Sequence, residues 1–132
     1  MGAPEATTAL NKLIQAATAL EVVLGEHRPT SSQAKEPKRP YVRLIYQQMG
    51  GPTHIPGRKR GLLAIYCFGT TGTEAWYHAT ALTEALGLGA ALEQRSPDPA
   101  LDGYALESAW QRLPDPIGGG LVFTTLSFTY YG

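Results

Sequence analysis

The sequence predicts an α+β domain: a mostly antiparallel four-stranded sheet with two helices on one face, in the order α-β-β-α-β-β. Three observations predict it. Apolar residues recur at helical spacing in residues 4–24 and 73–86. Residues 41–48, 61–68 and 121–131 are apolar or alternating runs rich in β-branched and aromatic types. Proline and glycine clusters separate these segments, so each helix is followed by a hairpin. The 132 residues suit one domain over residues 1–132. With 43% hydrophobic and 17% charged residues, the chain has the composition of a folded domain.

In the first helix, Leu10, Leu13, Ile14, Ala17, Leu20 and Leu24 make one apolar stripe, Pro4 suits the first turn and Gly25 suits the stop. Residues 26–40 hold Pro29, Pro37 and Pro40 among polar residues and read as a flexible loop. Val42, Leu44 and Tyr46 alternate with Tyr41, Arg43 and Gln47, a strand with one polar-leaning face. Residues 49–60 contain two prolines and three glycines and read as a second flexible loop, the basic tip of a long hairpin. Gly61 to Phe68 is apolar on both alternating sets, as a central strand should be. Thr71 and Glu74 form a capping box for the second helix, whose inner face is Ala75, His78, Ala79, Leu82, Ala85 and Leu86. Residues 87–103 are turn-rich, and Ala90 to Gln94 fits either a short strand or a helical turn. Residues 104–113 read as a strand, broken in its alternation at Ser108, that pairs with 121–131 in a second hairpin.

A single cysteine, Cys67, excludes an internal disulfide and a thiolate zinc site. The start, Met1-Gly2-Ala3-Pro4-Glu5, lacks the basic and apolar regions of a signal peptide and fits a myristoylation start poorly. The longest apolar run, Leu62 to Phe68, is far short of a membrane span, so synthesis and folding in a cytoplasm are expected.

Net charge is zero, which argues against a general nucleic-acid binder, but the charges are segregated. Residues 35–60 carry Lys35, Lys38, Arg39, Arg43, Arg58, Lys59 and Arg60 against Glu36 alone, a net +6. Residues 61–132 carry Arg95 and Arg112 against Glu74, Glu84, Glu93, Asp98, Asp102, Glu107 and Asp115, a net −5. If the two regions lie on different sides of the domain, copies attract head to tail and can close into rings. The candidate interface residues on this reading are Lys38, Arg39, Arg58, Lys59, Arg60, Glu74 and Glu84. Arg58-Lys59-Arg60 reads equally as a solvated loop tip.

No catalytic motif is present. His27, His54 and His78 have no partners at metal-ligand spacing; Glu74 and His78 share a helix face but lack a third ligand. Cys67 lies within an apolar strand, where it is an inert small hydrophobe. The turn Gly69-Thr70-Thr71-Gly72-Thr73 leads from strand to helix and could hold an anion, although it lacks the residues of a phosphate loop; a capped turn explains it better. Trp76, Trp110 and the seven tyrosines fit core and interface roles better than base stacking.

In its element order the chain resembles the tail terminator and tail completion proteins of long-tailed bacteriophages. The resemblance rests on three segments. Gly57-Arg58-Lys59-Arg60 feeds the apolar strand Gly61 to Gly69, the helix from Thr73 to Leu86 follows directly, and the closing strand runs from Gly120 to Tyr131. The stretch from Pro29 to Pro40 is longer than is usual between first helix and first strand. The resemblance implies a non-enzymatic virion subunit without catalytic residues or cofactors. It also implies a ring, typically hexameric, that caps the tail tube and joins tail to head. Its partners would be copies of itself, the tail-tube protein and the head–tail connector, with no membrane contact. Loop 49–60, through Arg58, Lys59 and Arg60, would meet a neighbouring subunit, a tube subunit or DNA in the lumen. The competing expectations are a head–tail connector or tail-tube subunit, a small-molecule or anion-binding domain using Gly69–Glu74, and DNA binding by the basic loops.

Overall fold

The computed structural model describes residues 2–25, 37–88, 93–116 and 118–132. Helix α1 (Ala3–Ala17) is followed by β1 (Glu21–Leu24), β2 (Tyr41–Pro52), β3 (Arg58–Gly69), α2 (Gly72–Ala85), β4 (Gln94–Arg95), β5 (Gly103–Leu106), β6 (Gln111–Arg112) and β7 (Gly120–Tyr131). The seven strands among the described residues belong to one mixed sheet of order β1-β2-β3-β7-β5-β4, with β6 also paired to β7. This corrects the four-stranded antiparallel sheet and the order α-β-β-α-β-β. The extra strands are short edge pieces of two to four residues, too brief to show a pattern in sequence, and β1 runs parallel to β2.

The expected helix 4–24 is a helix and a strand. At its start the Gly2 N–H donates to the Glu5 carboxylate at 3.0 Å, and Ala6, Ala9, Leu10 and Ile14 are buried. Thr18 then turns extended (φ −129°, ψ 146°), and its hydroxyl accepts from the Leu20 N–H at 3.2 Å. That side-chain bond offers the backbone an alternative to another helical turn. Leu20 and Leu24 continue the helical stripe, but Val22 and Val23 are β-branched and pair with Val42 and Arg43 instead.

The expected loop 49–60 is also largely strand. β2 continues to Pro52 and β3 begins at Arg58, leaving a tip of residues 53–57 closed by Gly57 at φ +80°. β1 covers only Tyr41 to Leu44, so the rest of β2 is a sheet edge, where proline removes no ladder bond. Register shifts between Tyr46 and Gly51 absorb the glycines. Of the expected loop 26–40, residues 26–36 lie outside the described residues, as do 90–92 of the stretch Ala90 to Gln94 that fitted either a short strand or a helical turn, and Gln94 begins β4. The strand expected over 104–113 is split. Trp110 leaves the sheet edge to donate to the Thr83 hydroxyl on α2 (2.7 Å), and the Thr124 hydroxyl holds the Ser108 carbonyl (2.6 Å).

β3 and β7 run antiparallel through twelve consecutive pairs, from Arg58↔Tyr131 to Gly69↔Gly120. α2 packs across this pair through Ala75, Ala79 and Leu82. The approach is close: a Cβ on Gly120 would stand 2.2 Å from the Thr71 carbonyl oxygen, and one on Gly69 2.6 Å from the Ala75 nitrogen. Only glycine fits at either point. Leu10, Ile14, Leu44, Leu63, Ile65, Val122, Leu126 and Phe128 join residues of both helices in one core. The opposite face of the sheet carries a second, smaller cluster of Tyr41, Phe68 and Leu121, with the first two rings stacked at 4.6 Å.

Candidate functional site

Strand pairing brings the basic segment and the acidic segment of the chain together within one molecule. Arg58 donates from Nε to Asp102 (2.9 Å) and from Nη2 to Glu93 (3.0 Å) and to the Thr129 hydroxyl (3.1 Å). Arg95 reaches the other oxygen of Asp102 at 3.0 Å. Arg60 pairs with Glu107 at 2.6 Å, with both side chains nearly half exposed. Arg39 makes a two-pronged contact with Asp115, through Nη1 and, at 3.1 Å, through Nη2. It also donates to the Gly69 carbonyl and stacks over Phe68 at 5.1 Å. Arg39 and Asp115 are both largely buried, so this pair binds the entry to β2 to the turn before β7.

Glu74 caps its own helix. Its carboxylate accepts from the Thr70 N–H at 2.8 Å and from the Thr70 hydroxyl at 3.1 Å, while Thr71 accepts from the Glu74 N–H. The Thr70 N–H lowers the Glu74 pKa below the usual carboxylate value. This carboxylate occupies the donors that an anion at Gly69–Thr73 would use. Of the seven candidate interface residues, the four just described are engaged within the chain. Lys38, Lys59 and Glu84 make no ion pair or side-chain hydrogen bond among the described residues; Lys38 and Glu84 are exposed and Lys59 is half-buried.

The sequence places Asp102 in a turn-rich stretch and Asp115 between Pro114 and Pro116, and nothing local marks either as a partner of an arginine. Their only signal was charge, because Arg58 and Arg39, which they bind across the fold, lie 44 and 76 positions away. Sequence reasoning also passed over Arg43. This side chain is 9% exposed, its Nε is buried without a hydrogen-bond partner, and its guanidinium lies 5.9 Å from the Tyr41 ring.

Several large apolar side chains are exposed on separate elements: Leu24 at the β1 end, Ile55 at the β2–β3 tip, Trp76 and Tyr77 on α2, and Tyr131 at the end of β7. Trp76 is flanked by the Arg112 guanidinium at 5.8 Å. A groove of about 570 Å³ opens beside Leu24, between Thr7 and Asn11 of α1 and residues 44–46 of β2. Tyr46 donates to Asn11 Oδ1 at 2.7 Å on its wall, and burial raises its hydroxyl pKa.

Among the described residues no three His, Cys, Asp or Glu side chains are grouped to hold a metal. His78 stands edge-on to Tyr77, and His54 is exposed at the hairpin tip. Burial pushes the Cys67 thiol up to about 12. No described helix is long and apolar enough to cross a membrane. No protein-family model matches the chain, and no curated protein is significantly similar to it.

Proposed function

We propose that this protein is a structural virion subunit of the tail-terminator kind, one that self-associates into a ring, caps a phage tail tube and joins tail to head. The observation that carries the reading is the exposed aromatic pair Trp76 and Tyr77 on α2, with Leu24, Ile55 and Tyr131 exposed singly elsewhere. Contiguous exposed apolar surface marks a docking site, whereas single exposed side chains are ordinary. A ring subunit between tube and head needs several docking sites: one for each neighbour, one for the tube below and one for the connector above. The role is one of assembly, not catalysis, and it needs no cofactor.

The internal ion pairs revise how such a subunit would use its charges. Arg58 and Arg60 brace β3 against the β5 region, so of the seven candidate residues Lys38, Lys59 and Glu84 are left for partners among the described residues. A lumen contact with DNA would fall to Lys38 and Lys59, and DNA binding at low salt would be weak. The test is electron microscopy and native mass of the purified protein, alone and added to uncapped tail tubes. Discrete rings that close tube ends support the reading, and extended polymers point instead to a tube subunit. A monomer that ignores tube ends overturns it.

A further inference from the structure

We infer that the outer face of α2 is a two-fold contact between two copies of this chain, in which the helices pack antiparallel and Arg112 of each copy meets Glu84 of the other. This rests on the self-association reading above and names one of its contacts.

The face is open. Trp76 is 41% and Tyr77 68% exposed, and Thr73, Thr80, Ala81 and Glu84 are exposed along the same helix. Spacings of three and four residues keep Tyr77, Thr80, Ala81 and Glu84 on one side. Ala75, Ala79 and Leu82 are buried beneath, against β3 and β7. Arg112, exposed on β6, borders this surface. Its guanidinium lies 5.8 Å from the Trp76 ring, and Nη1 lies 3.5 Å from the place of a Cβ on Gly72.

Two charges here stand at the wrong ends of their own helix. A helix is positive at its N-terminus and negative at its C-terminus, so an acid suits the first turn and a base the last. Arg112 lies beside Gly72, the first residue of α2, and Glu84 lies in the last turn, which holds no basic residue. Neither side chain makes an ion pair or hydrogen bond among the described residues; the contact Arg112 makes is with the Trp76 ring.

An antiparallel second copy corrects both. It brings Arg112 to the negative end of the neighbouring helix and Glu84 to the positive end. The register follows from the spacing. Trp76 and Glu84 are eight residues apart, about 12 Å along the helix, and Thr80 lies midway. With the two-fold axis beside Thr80, Glu84 of the second copy faces Trp76 and reaches the guanidinium next to it; symmetry supplies the same pair again. Thr80 and Ala81 at the centre are small, which suits helix axes about 8–10 Å apart. A face with its cation on one side of the midpoint and its anion on the other is complementary to itself. Such a contact joins copies two by two, so a ring that contains it is a ring of pairs with a second contact elsewhere on the domain.

The experiment is disulfide trapping combined with sedimentation equilibrium. A residue on a two-fold axis meets itself, so Thr80→Cys should link two copies under mild oxidation. Glu84→Cys, about 12 Å from its own counterpart along the helix, should not. The native Cys67 is buried and takes no part. Arg112→Glu and Glu84→Arg should each weaken association by about tenfold or more, and the double variant should regain much of the loss, as a direct charge pair requires. Circular dichroism checks folding of these surface variants. No link at position 80, with unchanged affinity in both charge reversals, overturns the contact; if rings still close tube ends, the ring reading stands. Copies that link at position 80 but ignore tube ends uphold the contact and overturn the ring reading.

Discussion

The two faces of the sheet are built on different principles. The helix-covered face is closed and apolar: Leu10, Ile14, Leu63, Ile65, Leu126 and Phe128 fill it, and α2 approaches so closely that only glycine fits at Gly69 and Gly120. The opposite face is a row of stacked rings, Tyr41 on Phe68 and Tyr66 on Phe123, with Arg39 over Phe68 and Arg43 near Tyr41. One face supplies stability through packed volume. The other holds guanidinium groups against aromatic rings, which attract them through the ring faces.

Phenylalanine truncation tests this contrast most severely. Phe128→Ala on the helical face should cost about 3–5 kcal/mol, from lost burial plus a cavity that the packed core cannot collapse. Phe123→Ala on the opposite face, where the ring is only partly buried, should cost about 1–2 kcal/mol. Urea denaturation of the two variants measures the difference, and equal losses would end the distinction. Asp115→Ala comes next. It leaves Arg39 buried without its carboxylate and should cost about 3 kcal/mol, whereas the joint change Arg39→Met with Asp115→Leu should recover much of that.

Alkaline titration gives a smaller effect confined to the closed face. Cys67 ionises near 9 when exposed and only near 12 when buried here. Between those values the unfolded chain has lost a proton that the folded chain retains, so stability falls as pH rises. The slope should reach about 1.4 kcal/mol per pH unit, and Cys67→Ala should flatten it. Below pH 8 the thiol should add nothing to the pH dependence. Chemical unfolding at pH 8 and 10.5 checks both statements; burial raises Tyr46 and Tyr104 as well, so some slope should remain in the variant. The smallest effect belongs to Arg60 and Glu107, a half-exposed pair whose removal should change stability by less than about 1 kcal/mol.

The middle of the fold was legible and its margins were not. β2, β3, α2 and β7 announce themselves through strand-length apolar runs, a capping threonine and small residues on the inner helix face. β1 did not, because Leu20 and Leu24 fall by coincidence on the stripe of α1, and only a parallel partner 20 residues on makes Val22 and Val23 a strand. β4 and β6, at two residues each, carry no periodicity. The candidate site divides in the same way. The charges of Arg39, Arg58 and Arg60 were visible, and their segregation from the acids was the strongest pattern in the chain. What that pattern encodes is pairing within the fold. Asp102, Glu107 and Asp115 become partners only because β5, β6 and β7 carry them to the basic strands, and no local signal announces that. Arg43 was invisible as a buried guanidinium because alternation made it an ordinary polar-face residue.

The β3–β7 ladder has a consequence for how the molecule comes into being. It joins residues 58–69 to residues 120–131, so the sheet's two central strands are separated by half the chain. Until residue 131 has left the ribosome, β3 lacks one neighbour, α2 lacks half of its floor, β6 has nothing to pair with and β5 has only the two-residue β4. Helices and a first hairpin can flicker into existence during synthesis, but the cooperative core cannot. Folding is thus a late event with high contact order, slow by comparison with a local helical bundle. In the interval, the apolar β3 edge is open to other nascent chains, which makes this strand the place where aggregation would begin.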